Sequence, residues 1–506
     1  MAGKITILVM CFFSMQLQAS KMIYGETSRI DRYDPYTIHE MAGHRLSDLI
    51  FDGLISLDVS GSYHPELAEK WEVLPGNTKV KVFLRKNVVW HNQENFTARD
   101  VVKTMQVIKH TKSEIPNRDR FDRVKSIVEL DSYTVEIEFY QALSDPLKFL
   151  TFKIIPSSSF LNDKFITKNH RFSQHPIGTG PYVFQSSNHQ GEVLLHANEE
   201  YYTSPPNIKK ILLKSYNDQH MMTQSLMFSA LDLVTWVSPN DLPEVINDQN
   251  LNIAPYDSLE FSFIGINQNK PYFQNKEIRN ALNQAIHKEE MLLSFFQNRG
   301  QIVSGPFAPN SWAYNINVPS MRWNPEKSRN VFVKHGLNRK RLKFVVPLSG
   351  KSDLTRKVVL ACQTYLKKSG LNIDLVFLDW VQWKEQVLYK RDYDLAIATW
   401  NFDDANNIKS LFHSSHDKKG GYNFVGFSDS QIDSLLTESS LTSDFDKRRA
   451  IYHKLHALLS EKSPYIWLWT LQNHAAHRNE LSGIKIEPFS FFKNIMSWKK
   501  QSQNNI

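Results

Sequence analysis

Cysteine is almost absent: the 506 residues hold two, Cys11 and Cys362. Cys11 sits in an apolar stretch, "ITILVMCFFSM", which follows Lys4 and precedes the small residues of "QLQAS". That run has the length of a secretory-signal core and is too short to cross a bilayer. Cleavage is expected near Ala19 or Ser20, leaving residues 1–20 as a signal peptide and Cys362 as the lone thiol. One thiol closes no internal disulfide, so the exported chain must be held together by large apolar cores. The segment "LVMC" offers no small residue directly before Cys11, which argues against lipid attachment there. A bacterial periplasm fits these features.

Other absences narrow the function. No later apolar run approaches a membrane span; "YIWLW" near Tyr465 has only the length of a strand. The formal charge is +8, yet Lys and Arg are scattered, with no basic stripe interleaved with aromatics, so no nucleic-acid partner is expected. There is no GxSxG elbow. "PLSGKS" imitates a phosphate loop but has Val345 where the first glycine belongs, and "HEMAGH" spaces His39 and His44 one residue too far apart for a zinc-protease helix. Neither catalysis nor a cofactor is expected. Internal repeats and low-complexity linkers are also missing, so domains should be joined by crossing strands rather than by a flexible tether.

What remains is an ordinary globular composition, 41% hydrophobic and 22% charged, long enough for two or three domains. Aromatics are plentiful, with 11 Trp, 19 Tyr and 31 Phe, residues that line clefts as readily as they fill cores. "KVKVFL" and "YTVEIEFY" alternate as half-buried strands do, and Thr97 with Asp100 forms a capping signal before "ARDVVKTMQVIKH". "HPIGTGPYVF" places Gly178 and Gly180 in a tight turn before a strand. Beyond Leu251 strands and helices alternate: "LEFSFIGIN", "KEIRNALNQAIHKEEMLLSFF", "LKFVVPLSG", a helix in which Cys362 is a small buried residue, "NIDLVFLDW", a helix around Trp383, and "YDLAIATW". That alternation argues for an α/β domain with a mostly parallel or mixed sheet.

Two patterns carry chemistry. "YDLAIATWNFDDAN" reads as a buried strand that delivers Trp400, then Asp403 and Asp404, into a loop with no basic residue near them in sequence. In a cleft shielded from water such a carboxylate fixes a ligand cation by charge-assisted hydrogen bonds. HxxH occurs three times, at His413/His416, His453/His456 and His474/His477, where chance gives roughly 0.6 such pairs. His413 and His416 follow the Trp400 loop and are the weak metal candidates. Two ligands do not make a site, so no metal is expected.

The order of "FDGLISLD", "PELAEKWEV", "VFLRKNVVWHNQENFTARDVV", "GTGPYVF", "NKEIRNALNQAI", "YDLAIATW" and "YNFVGFSDSQIDSLL" resembles the peptide/nickel-type solute-binding proteins, the periplasmic receptors of ABC importers. The resemblance implies an α/β, two-lobe, periplasmic-binding-protein-like architecture with an extra inserted domain. Domain I would comprise residues 21–60, 172–258 and 475–506, domain II residues 61–171, and domain III residues 259–474. A monomer would take its ligand between domains I and III and deliver it to a permease and ATPase complex in the inner membrane. In peptide-binding members a Trp at this strand end lies beside the peptide and an Asp three residues on accepts its α-ammonium, roles that fall to Trp400 and Asp403. The family's carboxylate-gripping arginine has no counterpart here; Lys351, at the start of the next helix, is the substitute. The nickel-chelate, haem and oligosaccharide branches are the alternative ligands, and a metal-dependent enzyme built on the histidine pairs is the remote one. Trp71, Arg85 and Asp100 are read as structural.

Overall fold

The computed structural model describes residues 20–38, 40–58, 60–111, 115, 118–161, 165–348, 353–401, 408–487 and 490–501. The expected signal peptide and His39 therefore lie outside the described residues. Among those described, no helix is long and apolar enough to cross a membrane.

The alternating stretches behave as their periods dictate. In Lys79–Leu84 the side chains of Val80, Val82 and Leu84 are buried and those between them are half-buried. This strand lies inside a four-stranded antiparallel sheet ordered Ala68–Val73, Lys79–Leu84, Thr134–Phe139, Val124–Asp131. Helix Ala98–His110 packs on it, and Asp100 closes the capping signal by accepting the Thr97 backbone N–H at 2.8 Å. The same carboxylate accepts from the Ser157 N–H at 2.8 Å, so it also pins a neighbouring loop. Gly178 and Gly180 sit against the end of helix Met41–Ile50: a Cβ on Gly178 would lie 1.8 Å from the Ile50 carbonyl oxygen.

A second sheet of eleven strands runs through the rest. Its order is Asn372–Asp379, Arg341–Leu348, Leu395–Asn401, Leu251–Ile266, Tyr465–Arg478, Leu233–Val234, Lys21–Glu26, Lys210–Ser215, Val193–Ala197, Tyr182–Ser187, with Gly300–Ile302 also pairing Tyr465–Arg478. Parallel pairs join Lys21–Glu26 to both its neighbours and Arg341–Leu348 to both of its own; the other pairs are antiparallel. The sheet is mixed, as the alternation of strands and helices required.

The two longest strands, Leu251–Ile266 and Tyr465–Arg478, pair from Leu251↔Arg478 to Gly265↔Tyr465, with register shifts between Asp257 and Phe263. Each belongs to both halves of the sheet. In the half nearer Tyr465, one apolar core gathers Ile264, Phe344, Cys362 and Trp469, and a second gathers Phe263, Trp383, Phe424 and Trp467. The other half shares its core with the four-stranded sheet, through residues such as Tyr24, Leu49, Val82 and Trp90. Cys362 is fully buried on helix Asp353–Lys368, and burial pushes its thiol up to about 12.

Two readings change. The strand expected from "LEFSFIGIN" starts eight residues earlier, at Leu251. The single helical run from Lys276 breaks into Lys276–Ala285 and Lys288–Phe296, because the His287 ring accepts the Glu290 N–H at 3.2 Å and starts a new helix.

Candidate functional site

Arg341–Leu348 and Asn372–Asp379 run parallel and end level, with Leu348 opposite Asp379. Leu395–Asn401 runs parallel beside the first of them through Phe344↔Leu395 and Val345↔Ala396. All three therefore finish at one edge, the carboxyl edge at which open α/β sheets take ligands. On its other side Leu395–Asn401 pairs with the long strand, Phe261 against Trp400 and Glu260 against Asn401. Glu260↔Asn401 is the last pair between these two strands among the described residues.

Strand alternation puts Trp400 on the face of Phe263. The two rings stack at 6.0 Å with 17° between their planes; Phe424 lies 6.2 Å away and Tyr422 meets Trp400 edge-on at 5.5 Å. Trp400 is half-buried at the edge. The Tyr465 hydroxyl lies beside its indole, and burial keeps that phenol well above its ordinary range. Behind it, Trp383 is 2% exposed and its indole N–H meets no hydrogen-bond acceptor among the described residues. Asp403, Asp404 and Lys351 lie outside the described residues; Asn401 is the last described residue before the loop.

Glu260 was passed over in the sequence. Its carboxyl is raised by desolvation, although the residue is exposed at the surface, and no ion pair involving it is found among the described residues. Three residues earlier, Asp257 accepts from the Asn310 amide at 2.7 Å. Nothing in "DSLEFSF" announces a cleft carboxylate. A recess of about 510 Å³ opens elsewhere, between Ser60, Trp312 and helix Phe445–Lys462, and Trp400 does not line it.

The three histidine pairs do not make a metal centre. His413 starts a three-residue turn; its Nδ1 accepts the Ser415 N–H at 3.1 Å, and its ring stands perpendicular to that of His416 at 6.3 Å. His456 is fully buried: Nδ1 accepts the Asn315 N–H at 2.9 Å and Nε2 meets the Ser304 hydroxyl at 3.1 Å. His474 and His477 lie on the strand Tyr465–Arg478, where an odd separation sends side chains to opposite faces, so the two rings share no face. Among the described residues no group of three or more His, Cys, Asp or Glu is placed to hold a metal ion.

Residues 62–422 match the model for the middle region of family 5 of the bacterial extracellular solute-binding proteins. The oligopeptide-binding protein AppA of Bacillus subtilis is 23% identical over 502 residues, 95% of this chain and 92% of its own. The structure of AppA with a nonapeptide superposes with a TM-score of 0.74 at 22% identity, over 95% of this chain and 99% of that one. NikZ of Campylobacter jejuni with Ni(L-His) superposes at 0.77 and 22% identity, again over 95% and 99%. HbpA2 of Haemophilus parasuis superposes at 0.85 and 20% identity, over 95% and 100%. These likenesses, none above 25% identity, establish a shared two-lobe fold. With the family model matching well over half its length, the chain belongs to family 5 of the bacterial extracellular solute-binding proteins.

Proposed function

We propose that the protein is a periplasmic receptor of an ABC importer that captures a peptide between its lobes by the peptide's α-ammonium group and performs no chemistry on it. The single observation that carries this is the carboxyl edge. There the strand Leu395–Asn401 leaves Trp400 half-buried on an aromatic wall, and the chain runs on within two residues to Asp403. An N-terminal ammonium is the one cation every free peptide offers, so an acid at this edge reads peptides without reading their sequence. AppA, which holds a nonapeptide, and NikZ, which holds Ni(L-His), are equally similar to this chain, so the fold admits either ligand and the choice of a peptide rests on the acid. The histidine geometry above argues against a protein-held metal.

In this reading residues 21–60, 172–258 and 475–506 form one lobe and 259–474 the other, with 61–171 inserted. The boundaries at 258 and 474 fall inside the two long strands, which makes those strands the hinge. A peptide that touches both lobes favours the closed form by its differential affinity, and the permease and ATPase complex reads that form. The mature protein acts as a monomer, freed of residues 1–20 on export.

Asp403→Asn tests the anchor. Loss of the charged partner of the ammonium should weaken peptide binding by about 2–5 kcal/mol in titration calorimetry; unchanged affinity in a folded variant would sink the anchor. Native mass spectrometry of protein purified from periplasm without refolding tests the ligand class. A ladder of added masses that resolves into peptides supports the reading. One sharp added mass with a metal isotope pattern refutes it.

A further inference from the structure

The carboxyl edge carries more aromatic surface than Trp400 alone. Trp380 follows directly on Asp379, the end of a strand level with Leu348, and begins the short helix Trp380–Lys384. It is 54% exposed, yet its ring is fixed, stacked on Trp383 at 5.1 Å with 10° between planes. Tyr422, also 54% exposed, stands edge-on to Trp400. Trp383 and Trp400 each lie 6.2 Å from Phe424, so the two exposed rings rest on one buried aromatic framework.

Both rings are held in place before any ligand arrives. Asp379 caps the Trp380 helix by accepting the Gln382 N–H at 2.8 Å. The loop bearing Tyr422 is tied by the Arg391–Asp417 ion pair and by Arg391 Nη2 donating to the Lys418 carbonyl at 2.9 Å. Gly420 turns that loop at φ +76°, where a Cβ would strike the Tyr389 ring at 2.8 Å. Rigid apolar rings left in water at a ligand-binding edge lower the entropic cost of binding an apolar group. The buried Trp383 N–H beside them meets no acceptor among the described residues. The Lys384 ammonium lies 5.9 Å from the Trp380 ring centroid, which disfavours a basic group there.

We propose that Trp380 and Tyr422, both resting on the aromatic framework that carries Trp400, form a subsite that takes an aromatic or large aliphatic side chain of the bound peptide. It makes the receptor selective for peptides with such a residue at one fixed distance from the N-terminus. This inference rests on the peptide reading above.

The test is calorimetric titration of the mature protein with alanine pentapeptide and with four versions carrying a single Phe at positions two to five. Wild type should prefer one Phe position over the alanine peptide by about tenfold, the scale of one aromatic contact. Trp380→Ala should remove that preference while leaving alanine pentapeptide within about twofold, and Trp380→Phe should restore most of it. Tyr422→Ala should act in the same direction. No Phe preference at any position in wild type, or an equal loss on Phe and alanine peptides, would overturn the subsite; the second result would mean that Trp380 only buttresses Trp383. Wild type that binds none of the five peptides would overturn the peptide reading itself, and the subsite with it.

Discussion

His456 offers the sharpest quantitative test of the packing. Its ring lies fully buried between Tyr314 at 4.6 Å and Phe307 at 5.6 Å, with Gly305 so close that a Cβ there would sit 2.3 Å from the imidazole. Burial, helped by the nearby His453, pushes the His456 imidazole down to about 4. The unfolded chain takes up a proton near pH 6.5, and the native ring refuses it until about 4. Between those values the unfolded state binds more protons, so stability falls as pH falls. The whole gap is worth about 3.4 kcal/mol, and about 2 kcal/mol of it is lost between pH 7 and pH 5. Wild type alone will not reveal this. Asp52, buried and close to Glu66, has its carboxyl raised to about 7, which makes stability rise over the same interval as pH falls. The difference between wild type and His456→Asn isolates the imidazole, since the asparagine Oδ1 takes the place of Nδ1 as acceptor of the Asn315 N–H but does not titrate. Urea unfolding at pH 7, 6 and 5 should show wild type losing about 2 kcal/mol of its advantage over the variant. A constant difference would mean that the ring is solvated; a growing one would mean that it is charged in the native state. Either result refutes the reasoning.

Gly178→Ala drives a methyl into the Ile50 carbonyl and should cost about 3 kcal/mol or more, read as a fall in Tm or loss of soluble protein. Arg448 is buried and donates to Asp145 at 3.0 Å across 303 residues, so Arg448→Ala should cost about 3–5 kcal/mol in urea unfolding. Arg341→Ala, which breaks an exposed pair with Asp374, should leave the midpoint within error. Asp52→Asn removes the Asp52 contribution alone, so the stability of wild type relative to the variant should fall as pH rises from about 4 to about 7, followed by Tm in matched buffers.

Local rules were legible wherever a segment decides its own structure. The Thr97–Asp100 cap, the alternation of Lys79–Leu84 and the turn at Gly178 all formed as their residues required. The first half of Leu251–Ile266 did not announce itself, because "LNIAPYDS" is poor in β-formers and contains a proline. Among the described residues that half pairs only with Tyr465–Arg478, so Pro255 forfeits no N–H to a second described strand. The histidine pairs failed for the opposite reason: three-residue spacing means a shared face only on a helix, and His474 and His477 turned out to lie on a strand. For the candidate site, the sequence yielded Trp400 and the strand that carries it. Glu260, Trp380 and Tyr422 needed tertiary knowledge, since what marks them is the company they keep at a sheet edge and not their spacing.

The order in which this sheet is assembled constrains when the protein can fold. Lys21–Glu26, the first strand described, pairs with Lys210–Ser215 and Leu233–Val234, and the latter pairs with Ala476 and His477. A ribosome has nearly finished the chain before the segment that joins both halves becomes available. Until then the first half presents an open sheet edge and the second has lost the middle of its own sheet. A nascent chain of this design stays without a complete native sheet through most of its synthesis, which suits a polypeptide that is threaded across a membrane before it folds. Truncation ahead of Tyr465 should accordingly leave no half-protein with a closed core, whichever end is kept.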